Sequence, residues 1–145
     1  MIPLAREPLI ARLRESLEPR PEILDAYLFG SHGRGNPRAD SDLDVAVYLD
    51  RARVPDSPFG YAAGLATDLA AAVRHDRVDV AVLNDAPPLF YHRVLRDGVR
   101  LVARQLEATT GREGRALSRY CDYLPHLRKI DSALAARIAK GEFGR

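Results

Sequence analysis

Cysteine is nearly missing from this chain. Cys121 is the only one in 145 residues, so neither an intramolecular disulfide nor a multi-cysteine metal site can form. A catalytic thiol would need a base beside it; His126 lies five residues on with Pro125 between, and Cys121 reads as a small half-buried helix residue. Long apolar runs are missing too, since every apolar stretch is interrupted well before membrane-spanning length, and no bilayer crossing is expected. The first ten residues carry Arg6 and Glu7 and no apolar run ending in a small-residue cleavage site. A signal peptide is therefore not expected, and a cytoplasmic address follows by default. Lysine is confined to Lys129 and Lys140, and a formal net charge of +2 falls short of the dense basic face that nucleic-acid binding usually needs. The positive charge is almost all arginine, which suits planar phosphate recognition, although a solvated surface accounts for most of it. Repeats, low-complexity tracts and linkers are also missing.

What is present is the composition of an ordinary soluble globular protein, with 46% hydrophobic and 29% charged residues. The length supports one domain with a real core. We expect residues 1–145 to form a single domain, with a core over about residues 20–104 and C-terminal helices over about 105–140.

Strand-like and helix-like segments alternate, which predicts an α/β (α+β) fold. A first helix is predicted from about Glu7 to Leu17, with Leu9, Ile10, Leu13 and Leu17 on one face and Pro19 and Pro21 ending it. Ile23 to Phe29 reads as a buried strand closed by Gly30. Ser31 is placed as the N-cap of a short turn that ends at Asn36-Pro37. Leu43 to Leu49 is a second strand; Leu43, Val45, Val47 and Leu49 share one face, and Asp42, Asp44, Ala46 and Tyr48 the other. A loop over 51–58 leads to a helix from about Tyr61 to Arg74 and a third strand from Arg77 to Leu83. Pro87-Pro88 opens a helix through Leu95, Asp97-Gly98 is a turn, and Val99 to Ala103 is a fourth strand. From about Leu106 to Lys140 the chain reads as helix, which Pro125 should kink or split. Its stripe of Leu117, Tyr120, Leu124, Leu127, Leu134 and Ile138 is expected to pack against the sheet, with docking of another protein as the alternative.

Asp42 and Asp44 lie two apart on a strand, so both carboxylates project from one side while Leu43 turns to the core. Carboxylates side by side repel unless a cation sits between them, and hard oxygen ligands suit Mg²⁺ or Mn²⁺. Asp79, the one charge amid Val78, Val80 and Val82, is a candidate third ligand. Three convergent carboxylates are what two-metal phosphoryl transfer needs. Ahead of them, Gly30 allows close backbone approach, and Ser31 begins a turn whose free N–H groups can bind phosphate. Arg34 is placed to add a charge-assisted phosphate contact, with Gly33 and Gly35 keeping the turn open.

The segment Gly30-Ser31-His32-Gly33-Arg34-Gly35, the ten residues between Ser31 and Asp42, and the run Ser41-Asp42-Leu43-Asp44-Val45-Ala46-Val47 resemble the minimal nucleotidyltransferases of the DNA polymerase β superfamily. Leu95-Arg96-Asp97-Gly98-Val99-Arg100-Leu101 is similar to the late helix-glycine-strand segment of that family. Within it the chain is most similar to the MntA-type antitoxins, which are paired with HEPN-domain toxins. The resemblance implies the polymerase β-like fold, a small mixed central sheet flanked by helices with a C-terminal helical segment, and an enzyme that uses ATP and Mg²⁺, two ions being expected and Mn²⁺ an alternative. It would attach AMP to a tyrosine of the partner ribonuclease in a hetero-oligomer. It also implies Gly30 and Ser31 as the phosphate-binding pair with Arg34 beside them, Asp42 and Asp44 as the catalytic metal-binding pair, and Asp79 as the third carboxylate. Two alternatives stand beside it: transfer to a small molecule such as an aminoglycoside, and an antitoxin that acts by binding alone.

Four other positions are set aside. His32 is expected to face solvent, with lining of the nucleotide site or a phosphate contact as the alternative, and His75 to serve as a dipole partner at a helix C-terminus. Tyr91 and His92 are expected to pack or to face solvent, with bordering of an adenine pocket as the alternative. Ser31, His32 and Asp40 lack the strand-to-helix elbow of a hydrolytic triad.

Overall fold

The computed structural model describes residues 4–38 and 40–140. In chain order these form α1 (Arg6–Leu17), β1 (Ile23–Phe29), α2 (Gly30–Arg34), β2 (Leu43–Leu49), a 3₁₀ turn (Arg51–Arg53), α3 (Tyr61–Val73), β3 (Val78–Val82), α4 (Pro88–Asp97), β4 (Val99–Ala103) and α5 (Leu106–Ala139). The four strands make one sheet in the order β3-β2-β1-β4. β1 pairs antiparallel with both β2 and β4, while β2 and β3 run parallel. The sheet is therefore mixed, as the family resemblance implies.

Both faces of the two central strands are covered. Leu43, Val45, Val47 and Leu49 join Ala26 and Leu28 beneath α1 and α3, where Leu9, Ile10, Leu13, Leu17, Leu65, Leu69 and Val73 close a dry core. On the opposite face Tyr27 and Ala46 pack with Tyr91 and Val94 of α4 and Ala116 of α5. The period-2 reading of β2 holds because each set of alternating residues has its own helical layer to meet.

Local chemistry shifts three of the expected features. α2 begins at Gly30 with Phe29 as its cap residue, so Ser31 is the second helical residue and not the N-cap. The cause is Gly30 itself, whose φ of +68° turns the chain from strand to helix in a single residue. α5 runs on through Pro125 without splitting. Proline removes the bond to the carbonyl four residues back, at Cys121, and both residues are exposed, so water can satisfy that oxygen. Cys121 is accordingly exposed, against the half-buried placement expected of it.

The apolar stripe of α5 departs furthest from expectation. Only Thr109 and Ala116 of this helix are buried, while Leu117, Leu134 and Ile138 are 51%, 43% and 51% exposed. A helix of 34 residues is about 50 Å long at ~1.5 Å per residue, and it outruns a sheet whose matching face α4 already covers. What fixes its first turns is polar. Arg112 donates from Nε and Nη2 to the Asp25 carboxylate at 2.7 and 2.8 Å, and the Thr109 hydroxyl donates to the same group. One turn away, Glu113 accepts from the Tyr27 hydroxyl at 2.6 Å and from Arg100.

Candidate active site

The site lies where β1 ends and β2 and β3 begin. Asp44 pairs with Phe29 on one side and with Asp79 on the other. The antiparallel partner brings Gly30, the next residue, against Asp44, and the parallel partner sets two carboxylates opposite each other on one face. Asp42 stands two residues ahead on that same face, and Leu43 between them is fully buried in the core. The structure thus brings Gly30, Asp42, Asp44 and Asp79 to one edge, as the sequence pattern predicts.

The electrostatics are those of crowded like charges. Burial, then Asp79, then Asp42 push the Asp44 carboxyl above the ordinary carboxylate range, and Arg34 opposes them weakly. Among the described residues Asp42 Oδ1 is buried with no hydrogen-bond partner; Arg77 Nη1 lies 3.9 Å away, too long for a hydrogen bond. An orphaned anionic oxygen beside two more carboxylates is costly in the bare protein and is relieved by a hard divalent cation. Among the described residues, no three acidic or imidazole side chains are already drawn into a ligand cage. An ion would therefore have to gather these carboxylates.

α2 is fitted to this edge by its glycines. A Cβ on Gly30 would lie 2.3 Å from Asp44 Oδ2, and one on Gly33 would meet the Leu28 and Asp97 carbonyls at 2.7 and 2.8 Å. Gly33 is thus a close-packing residue and does not keep the turn open as expected, whereas Gly35 ends α2 in the left-handed region at φ +82°. Replacing Gly30 by alanine should cost about 1–3 kcal/mol for the left-handed backbone and the displaced carboxylate. It should also remove catalysis more completely than it removes folding. Urea unfolding beside a transfer assay would separate the two, and wild-type activity in that variant would contradict the close approach.

Arg34 ion-pairs with Asp97 at 3.3 Å, leaving the guanidinium half exposed on the rim of the site. Asp97, expected only as a turn residue, is thus the anchor for that arginine. Its carboxyl is held below the ordinary range by Arg96 first and Arg34 second.

Two contacts had no signal in the sequence. Arg6, from α1, donates to the carbonyls of His32 and Gly33 and so caps the free end of α2. His32 is half-buried, contrary to its expected solvent-facing placement. Its Nε2 lies 3.5 Å from the Ser41 carbonyl, and its ring meets His75 edge-on at 5.6 Å. Tyr91 is buried by packing, as expected, and burial chiefly pushes its hydroxyl up to about 12. His92 stacks flat on Tyr120 at 3.6 Å.

Residues 11–107 match the family model described as polymerase beta, nucleotidyltransferase. The chain belongs to that nucleotidyltransferase family. The match covers the whole sheet and ends at the first turn of α5, so the carboxylate edge lies inside the matched region. As a nucleotidyltransferase the protein is an enzyme of group transfer.

It is 33% identical over 101 residues to the protein adenylyltransferase MntA of Aphanizomenon flos-aquae (strain 2012/KM1/D3), spanning 63% of this chain and 67% of that one. Among solved structures it is similar to the complex of tri-AMPylated Shewanella oneidensis HEPN toxin with MNT antitoxin, at 22% identity and a TM-score of 0.62, over 93% of this chain and 99% of that one. It is also similar to a toxin-antitoxin structure with AMP-PNP, at 23% identity and a TM-score of 0.59, over 90% and 96% of the two chains. At these identities the structural likeness is one of fold. It includes α5, which the family model leaves out. Among the described residues no helix is long and apolar enough to cross a membrane.

Proposed function

We propose that this nucleotidyltransferase is a cytoplasmic protein adenylyltransferase that moves AMP from ATP to a tyrosine of a HEPN-domain toxin and so silences it. The observation that carries the reading is the Asp44–Asp79 register with Gly30 closed against Asp44. This gives one edge where carboxylates and a backbone turn face the same small volume. The named adenylyltransferase relative and the AMPylated-toxin complex support the choice of reaction.

On this reading Asp42, Asp44 and Asp79 hold Mg²⁺, with Mn²⁺ as a substitute, and the Asp42 oxygen that lacks a partner fits that role. The metal would supply charge neutralisation at the phosphates and a more acidic acceptor hydroxyl. Gly30 and Ser31 offer the unpaired N–H groups of the first turn of α2 to the phosphate tail, and Arg34 adds charge from its anchored position beside Asp97. The tyrosine oxygen bonds to the α-phosphorus as the bond to the β-phosphate bridging oxygen breaks. The hydroxyl proton passes to solvent and pyrophosphate leaves. Catalysis is then mainly positioning and electrostatic stabilisation.

Incubation with α-labelled ATP, Mg²⁺ and the HEPN-domain protein of the same genome should label that protein on tyrosine, and EDTA should reduce labelling to background. Label on nucleic acid or on a small molecule, with none on the protein, would displace this reading.

The exposed stripe of α5 favours a second reading, in which contact alone silences the toxin. An Asp42→Asn, Asp44→Asn double variant that still protects cells would establish it.

A further inference from the structure

α2 has no apolar side chain to hold it in place. Its five residues are Gly30-Ser31-His32-Gly33-Arg34, and of these Gly33 alone is buried. A helix so short does not stand by itself, because nucleation is costly and too few bonds follow to offset it. Its pose therefore depends on what grips it from other elements. On the strand side, Gly33 lies so near the Leu28 and Asp97 carbonyls that a Cβ would not fit.

Polar contacts supply the remaining grip. Arg34 reaches Asp97 at 3.3 Å, and His32 Nε2 lies 3.5 Å from the Ser41 carbonyl, at the limit of a hydrogen bond. The contact with two bonds comes from α1. Arg6 donates from Nη1 to the His32 carbonyl and from Nη2 to the Gly33 carbonyl, the latter at 3.1 Å. α1 is a firm base for this fork: Leu9 and Ile10, three and four residues after Arg6, are buried in the core with Leu13 and Leu17. Gly35 completes the seat, since a Cβ there would lie 3.3 Å from Arg6 Nη1.

Helix carbonyls point towards the C-terminal end and N–H groups the other way. Arg6 thus grips α2 at the end remote from Gly30 and Asp44. Arg34, and not Arg6, is the cation that bears on the Asp44 carboxyl.

We infer that Arg6 is a positioning residue for the nucleotide: its fork fixes α2 from outside the site and so sets the affinity for the triphosphate tail without touching it. The inference rests on the proposed binding of that tail by Gly30, Ser31 and Arg34, and adds what keeps those three in place. A turn free to rock on Gly33 would misplace all of them together, and charge-assisted contacts weaken steeply once distance and angle are lost. The loss falls on the β- and γ-phosphates and not on the AMP end. A cation alone does not serve, because two adjacent carbonyls call for the planar guanidinium fork and a lysine ammonium lacks that geometry.

The test uses the full chain as wild type, Arg6→Ala, Arg6→Gln and Arg6→Lys, with Mg²⁺ present. Calorimetry gives the Kd of α,β-methylene-ATP, which cannot transfer its AMP, and of AMP. Hydrogen exchange of the amides of residues 30–36 is followed separately without nucleotide. Thermal unfolding shows whether each variant is folded, and Arg6→Gln, which keeps part of the side chain and one amide donor, stands in if Arg6→Ala is not.

Arg6→Ala should bind the triphosphate analogue at least about tenfold more weakly and AMP within about twofold of wild type. Arg6→Lys should recover only part of the difference. Exchange should quicken over α2 while β1 and β2 stay protected. Wild-type affinity for the analogue in Arg6→Ala would overturn the inference. Equal weakening of both nucleotides would also overturn it, as the mark of a general structural contact. Full recovery in Arg6→Lys would do the same, by showing that charge and not the fork matters. If the wild type binds neither nucleotide, the proposed reaction fails. Exchange over α2 then still decides whether Arg6 holds that turn, and unchanged exchange would sink the positioning role as well.

Discussion

Asp44→Asn should lower nucleotidyl transfer at least about 10³-fold while making the metal-free protein harder to unfold at neutral pH. A thousandfold loss corresponds to about 4 kcal/mol of transition-state stabilisation, within what a metal clamp supplies through its carboxylate ligands. The stability gain follows from the unfavourable position of the same charge in the bare fold. Burial and the neighbouring Asp79 and Asp42 hold the Asp44 carboxyl above its ordinary range, so the folded state binds that proton more tightly than the unfolded chain does. Stability is then full below the ordinary carboxylate range and falls as pH rises towards the raised folded value. At pH 7 the ionised group weighs against folding, and asparagine removes that burden at nearly constant shape.

Thermal unfolding in EDTA should show a higher midpoint for Asp44→Asn at pH 7, with the difference shrinking in acid. Adding Mg²⁺ should raise the wild-type midpoint and leave that of the variant nearly unmoved. A variant that is less stable than wild type in EDTA, or that retains activity within tenfold, would refute this account of Asp44. Asp42→Asn should cost activity on the same scale, since Asp42 Oδ1 lacks a hydrogen-bond partner among the described residues.

Arg112→Ala should destabilise the fold by about 3–5 kcal/mol, the usual cost of stranding one member of a buried ion pair. Asp25 is fully buried, with a side-chain exposure of 0% against 14% for Arg112, and the two make a bidentate contact. The guanidinium also lies 5.0 Å from the centre of the Tyr48 ring, which adds a cation–π contact that alanine loses. Without it the Asp25 carboxylate keeps, among the described residues, the Thr109 hydroxyl alone. Replacing both partners by leucine should recover most of the loss, because the cost lies in the unpaired charge more than in the missing attraction. Urea unfolding of the single and double variants measures this directly. A single variant within about 1 kcal/mol of wild type would show that solvent reaches Asp25 and that the pair behaves as a surface contact.

The two outcomes separate the parts of the molecule. Asp44 is expected to matter for the reaction and to weigh against the fold, whereas the Asp25–Arg112 pair holds α5 and lies outside the carboxylate edge. Loss of the pair should therefore release α5 before the sheet, and helicity should fall ahead of tertiary signals in the Arg112 variant.

Local chemistry written into the chain determined much of this architecture. The alternation of Leu43, Val45, Val47 and Leu49 with Asp42, Asp44, Ala46 and Tyr48 set β2 and its two faces, because side-chain direction in a strand has period two whatever the neighbours are. The apolar run of β1, the turn before Val99 and the helical spacing of α1 were legible for similar reasons. So was the pairing of a glycine turn with two aspartates, since only a glycine fits a positive φ with a carboxylate against its Cα.

Tertiary structure alone decided the rest. Asp25 reads as one polar residue in an apolar strand, and nothing near it in sequence names Arg112, 87 residues later, as its partner. Arg6 at the end of α2, and Asp97 beneath Arg34, are likewise contacts between distant elements. The stripe of α5 looks like a core face because periodicity records which residues share a side and not whether anything meets that side. Covering it depends on the length of the sheet and on what α4 already occupies, and those are properties of the assembled fold.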